Sequence, residues 1–142
     1  MSTEKKKILV VDDDLTVLKA FTIKLKASNY DVLTASDGST AVNLVRTQKP
    51  DAILLDIHFP DDFGSVAWDG FRIMDWLRRI DEARNVPIFV ISGGDPEKYM
   101  AKARQLGAVG FFHKPIIHEE LIAELERVIG TTAPPPPPQT PD

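Results

Sequence analysis

Ile8-Leu9-Val10-Val11-Asp12-Asp13-Asp14 decides the fold: four apolar residues in a row, with no polar alternation, end abruptly in three acids. A continuous apolar run of this length reads as a strand buried on both faces of a parallel sheet, because a half-solvated strand would alternate. Two further runs have the same form. Ala52-Ile53-Leu54-Leu55 ends in Asp56, and Ile88-Phe89-Val90-Ile91 ends in Ser92-Gly93-Gly94. Weaker strand candidates are Val32 to Ala35 and Gly110 to Phe112, the latter running into His113-Lys114-Pro115.

Helical spacing fills the gaps between the runs. Leu15, Leu18, Phe21 and Leu25 fall on one apolar face that Val17 extends, with Ile23 off it. Further helices are predicted from about Ser39 to Gln48, Gly70 to Ile80, Pro96 to Leu106 and His118 to Ile129. Pro96 suits a first helical turn, and Gly107 and Gly130 follow helix ends. Strand and helix thus alternate five times, which predicts an α/β fold: a doubly wound five-stranded parallel sheet with helices on both faces. The expected division is one domain over 1–130 and a proline-rich tail or linker over 131–142, where Pro134 to Pro138 favour an extended chain.

Bulk properties narrow the function classes. A chain of 142 residues suits one domain. A net charge of −4 gives no electrostatic reason to expect nucleic-acid binding. The absence of cysteine removes thiolate metal sites and cysteine catalysis. No apolar stretch approaches the ~18 residues of a membrane span, and the first residues lack a signal peptide's apolar core. A cytoplasmic protein without membrane contact is expected.

In a parallel sheet the C-terminal strand ends share one edge, and open α/β folds bind ligands there. Asp12, Asp13, Asp56, Ser92 and Lys114 therefore converge. Two like charges ~4 Å apart repel by about 4 kcal/mol at an effective dielectric near 20, so the acids need positive partners. Lys114 is one. A hard divalent cation with oxygen ligands and open positions is the other, and this chemistry suits Mg²⁺. A carboxylate beside Mg²⁺ and lysine is in turn a plausible nucleophile toward phosphorus. Asp14 reads as a helix cap. His58, His113 and His118 form no convincing metal triad, and their side chains read as incidental.

Val11-Asp12-Asp13, Leu55-Asp56, Ile91-Ser92-Gly93 and Lys114-Pro115 resemble, in order and approximate spacing, the motifs of response regulator receiver domains, the phosphorylation switches of two-component signalling. The resemblance covers roughly Lys7 to Gly130. It implies the flavodoxin-like strand order 2-1-3-4-5, with Asp56 as phosphoacceptor. It further implies Mg²⁺ bound by Asp13 directly, by Asp12 through water, by Asp56 and by the backbone carbonyl of His58. Ser92 and Lys114 would contact the phosphoryl group, Phe111 would hold the aromatic switch position, and the Lys114–Pro115 bond would be cis. The implied partners are a sensor histidine kinase or phosphotransfer protein on the input side. On the output side stands a partner, or a missing output domain, reached through the fourth helix, fifth strand and fifth helix. Such a protein is a switch, and not an enzyme beyond its own phosphorylation and dephosphorylation.

Two departures stand out. Between Asp56 and the expected Asp69-Gly70 pair the loop is longer by about half a dozen residues and carries Phe63 and Trp68. Phe111 stands where tyrosine is frequent. Rival readings are a pseudo-receiver used only for contacts, a nucleotide-binding module, and an aspartyl-phosphate phosphatase of the haloacid dehalogenase type. The phosphatase would need a second acid where His58 stands, and the nucleotide module a glycine-rich phosphate loop after the first strand.

Overall fold

The apolar runs become strands because their side chains are buried on alternate sides of one sheet. In the computed structural model, which describes residues 5–57, 70–93 and 96–130, the strands are β1 (Lys7–Val11), β2 (Asp31–Ala35), β3 (Ala52–Asp56), β4 (Ile88–Ser92) and β5 (Gly110–His113). All pairings are parallel, in the order β2-β1-β3-β4-β5. The helices are α1 (Leu15–Ala27), α2 (Gly38–Gln48), α3 (Gly70–Arg78), α4 (Pro96–Gln105) and α5 (His118–Ile129), with a short 3-10 turn at Asp81–Ala83. The predicted fold class is the observed one.

Every side chain of β3 and β4 is buried. Leu9, Val11, Ile53, Leu55, Ile88 and Val90 pack into a core shared with α2, α3 and Ala103 of α4. The alternate residues Ile8, Val10, Ala52, Leu54, Phe89 and Ile91 pack against Leu18, Phe21 and Leu25 of α1 and Leu121 and Leu125 of α5. A period of two thus feeds two cores, which is why no polar alternation shows in the sequence.

Helix starts follow local chemistry. Asp14 caps α1 by accepting from the Thr16 amide at 2.9 Å, and Asp37 caps α2 by accepting from the Thr40 amide at 2.7 Å. Two expectations need correction. Spacing puts Leu15 on the buried face of α1, but it is the helix's first residue and is 65% exposed. Helix α3 stops at Arg78, not Ile80. The Arg78 guanidinium instead donates to the carbonyls of Ala83, Val86 and Gly107 at 3.0–3.1 Å, and Ile80 is buried ahead of the 3-10 turn. The His118 ring packs edge-on to Phe21 with centroids 5.9 Å apart. The long loop after Asp56 (58–69) and the proline-rich tail (131–142) lie outside the described residues.

Candidate functional site

The register pairs Val11 with Leu55, so the residues that follow, Asp12 and Asp56, stand side by side at the edge of the sheet. β4 lies next to β3 and β5 next to β4. Ser92 pairs with His113, and the Lys114 amide donates to the Ser92 carbonyl at 2.9 Å. Four strand ends therefore deliver two carboxylates, a hydroxyl and an ammonium to one edge. Asp12 and Asp56 are each 2% exposed and Ser92 is wholly buried. The Lys114 ammonium pairs with Asp56 Oδ2, its own side chain remaining about a third exposed. The Lys114–Pro115 peptide bond is cis. Asp13 is exposed at the rim. Phe111 is half-buried, packed against the core shared with α2 and α3. His58, expected to offer a carbonyl, lies outside the described residues.

Burial sets the electrostatics. Asp12 Oδ1 accepts from the Asp14 amide at 2.9 Å, but Oδ2 is buried with no hydrogen-bond partner. Loss of water, with the like charge of Asp56 beside it, pushes the Asp12 carboxyl up to about 7 against the lowering effect of the Asp14 amide and of Lys114. Asp13 is also raised, by burial first and then by the charges of Asp56 and Asp14. Among the described residues no three carboxylates or imidazoles converge as a ready-made metal cage. What the site offers is a buried, unpartnered carboxylate oxygen beside a second carboxylate, with a third at the rim. That donor set fits a hard cation that keeps several waters, and Mg²⁺ is such a cation.

The acid pair predicts an inverted pH profile for the metal-free protein. The folded Asp12 holds its proton up to about 7, whereas an aspartate in the unfolded chain releases it near the ordinary value of 3.8. Between those values the folded state binds more protons than the unfolded chain, so stability is greatest below the window and falls as pH rises through it. Each pH unit crossed in that window costs at most about 1.4 kcal/mol. In chelator the melting temperature is expected to be roughly 5–10 °C lower at pH 8 than at pH 5, with the difference largely gone in Asp12→Asn. A flat profile in wild type would refute the account.

In the sequence Gly70 stands out only as part of an Asp-Gly pair. The structure gives it a mechanical reason: a Cβ at this position would stand 2.3 Å from the Ile57 Cα and 2.6 Å from the Asp56 carbonyl oxygen. Helix α3 therefore starts in backbone contact with the end of β3, and only glycine permits that approach.

Comparison with known proteins decides the family. The family model of the response regulator receiver domain matches residues 8–126. The chain belongs to this family. Its relatives include the alkaline phosphatase synthesis transcriptional regulatory protein PhoP of Bacillus subtilis, 34% identical over 87% of this chain and 48% of the relative. They also include the polar-differentiation response regulator DivK of Brucella anthropi, 29% identical over 88% of this chain and 97% of DivK. The chain spans about half the length of most of the curated relatives it matches. Among solved structures, Vibrio cholerae CheY4 superposes with a TM-score of 0.76 at 26% identity, covering 87% of this chain and 98% of CheY4. The receiver domain of the Pseudomonas aeruginosa sensor histidine kinase PA1611, which carries a magnesium ion in its active-site cleft, superposes with a TM-score of 0.75 at 29% identity, covering 88% of this chain and 98% of that domain. This receiver domain is a unit of two-component signal transduction. No helix among its described residues is long and apolar enough to cross a membrane.

Proposed function

We propose that this receiver is a phosphorylation switch in which Asp56 accepts a phosphoryl group from the phosphohistidine of a sensor kinase or phosphotransfer protein. The observation that carries the proposal is the buried Asp56 carboxylate paired with Lys114 beside the unpartnered oxygen of Asp12. A carboxylate oxygen of Asp56 attacks phosphorus, the P–N bond breaks, and its electron pair returns to the imidazole. Lys114 holds the carboxylate in place and then pairs with a phosphoryl oxygen. Asp12 and Asp13, with Asp56 and the His58 carbonyl, would hold Mg²⁺. When bound, that ion neutralises developing charge on the phosphoryl oxygens. The burial that raises the Asp12 carboxyl also excludes water, which strengthens each of these interactions.

Incubation with Mg²⁺ and a small phosphodonor tests this directly. One alkali-labile acyl phosphate per chain is expected by mass. No incorporation would leave a pseudo-receiver that works by contact alone.

Output follows from Ser92 and Phe111. Ser92 ends β4 and Phe111 lies on the neighbouring β5, whose residue 111 pairs with Val90. A phosphoryl group on Asp56 draws the Ser92 hydroxyl toward it, and Phe111 turns into the vacated space, reshaping the surface of α4, β5 and α5. Moving a population from 1:99 to 99:1 takes ~5.5 kcal/mol. One charge-assisted hydrogen bond supplies about 1.5–3 kcal/mol, so Lys114 and the cation must contribute the rest. Ser92→Ala is accordingly expected to be phosphorylated but to switch incompletely, with amide shifts on that surface well short of wild type. Equal, full shifts in both proteins would remove the hydroxyl from the pathway. The partner on that surface is either a separate protein or an output domain following the tail.

A further inference from the structure

Helices α3 and α4 enclose an open groove of about 630 Å³ that the phosphorylation chemistry does not use. Its apolar lining includes Phe71, Leu106 and Trp76, and Trp76 is 44% exposed. Among the described residues three cations, Arg72, Arg79 and Lys102, share the lining with one carboxylate, Asp75. The Lys102 ammonium sits 4.8 Å from the centroid of the Phe71 ring, and the Tyr99 ring of α4 lies 6.2 Å from the same ring. Arg79 meets Asp75 at 3.1 Å, but both side chains are more than half exposed. A pair of that kind is worth little and yields readily to another anion.

Tryptophan and arginine are the residues that most often carry binding energy at protein interfaces. A two-helix groove floored by apolar side chains is the receptor half of helix-in-groove recognition. The excess of cations sets the sign of the occupant. The wall is also pre-formed: Gly70 seats the start of α3 on the Asp56–Ile57 backbone, one residue before Phe71. We infer that the α3–α4 groove is a docking site for an acidic amphipathic helix of a partner protein, anchored on Trp76 and rimmed by Arg72, Arg79 and Lys102. The groove faces α3 and shares only α4 with the α4–β5–α5 surface, and the inference does not depend on phosphorylation of Asp56.

The test is fluorescence anisotropy of a labelled helical peptide added to the full chain. The peptide carries leucines at i, i+3, i+4 and i+7 and glutamates on its other face, and a second peptide replaces each glutamate by lysine. The acidic peptide is expected to bind with a Kd of about 10–100 µM, and the basic one at least tenfold more weakly. Trp76→Ala and Lys102→Glu should each weaken the acidic peptide at least tenfold. Both positions are at the surface of the groove, and acyl phosphate formation at Asp56 should be unchanged in both variants. Equal binding of the two peptides, or full binding to Trp76→Ala, would overturn the inference. So would sedimentation of the protein alone as a dimer that Trp76→Ala dissociates, because the occupant would then be a second copy of this chain.

Discussion

Asp56→Asn will take up no phosphoryl group from a small phosphodonor and Mg²⁺, while wild type gains one per chain. An amide oxygen is a far weaker nucleophile than a carboxylate, and among the described residues no other side chain at this edge combines burial with a lysine partner. The fold should survive. The substitution is nearly isosteric, and two electrostatic effects oppose each other. The Lys114 pair is lost, but the like charge that helps raise Asp12 is removed with it. Asp12 should then titrate lower than in wild type, with the charge of Lys114 still lowering it. The measurements are intact mass after phosphodonor treatment, near-ultraviolet circular dichroism, and the pH dependence of melting. Undiminished incorporation would show that the acceptor lies elsewhere.

Asp13→Ala should lower Mg²⁺ affinity at least tenfold, about 1.4 kcal/mol, and slow phosphorylation with it. Asp13 is exposed at the rim, so its removal opens no cavity and should leave the melting temperature of the metal-free protein unchanged or slightly raised. A slight rise is expected because Asp13 is one of the crowded acids, raised by burial and by the charges of Asp56 and Asp14. Binding is read by titration calorimetry, independently of phosphorylation. Wild-type Mg²⁺ affinity in this variant would place the cation on other ligands and remove Asp13 from the site.

The two outcomes separate chemistry from metal. Asp56→Asn should retain part of its Mg²⁺ affinity through Asp12 and Asp13 although it takes up no phosphoryl group. Asp13→Ala should keep its nucleophile, so that a high Mg²⁺ concentration recovers phosphorylation. A loss in Asp13→Ala that no Mg²⁺ concentration reverses would mean that Asp13 acts on something other than the cation.

The strands were legible because both faces of each central strand are apolar, a pattern no solvated element tolerates. Their ends were less so. Lys7, Asp31, Asp56, Ser92 and His113 each belong to a strand, yet each is polar, because the ladder is built from backbone groups and is indifferent to side-chain hydropathy. Leu15 has the right spacing for the buried face of α1 and is nonetheless exposed, since periodicity does not reveal which positions of a face the neighbouring elements cover. The shortened α3 has a similar cause. Arg78 gathers carbonyls from as far away as Gly107, and nothing local in the sequence announces that.

By itself the sequence determined the alternation of strand and helix, the parallel sheet, and which residues stand at its C-terminal edge, since these follow from hydropathic period and chain order. Only the tertiary structure decided how those residues meet. It settled that Asp12 keeps one buried oxygen without a partner, that Lys114 pairs with Asp56, and that Gly70 lies against the backbone of Asp56 and Ile57. It also settled that Trp76 lines a cationic groove between two helices. The physical reason is that each of these depends on register and helix packing. Both are fixed by contacts between residues tens of positions apart, and local pattern carries no record of them.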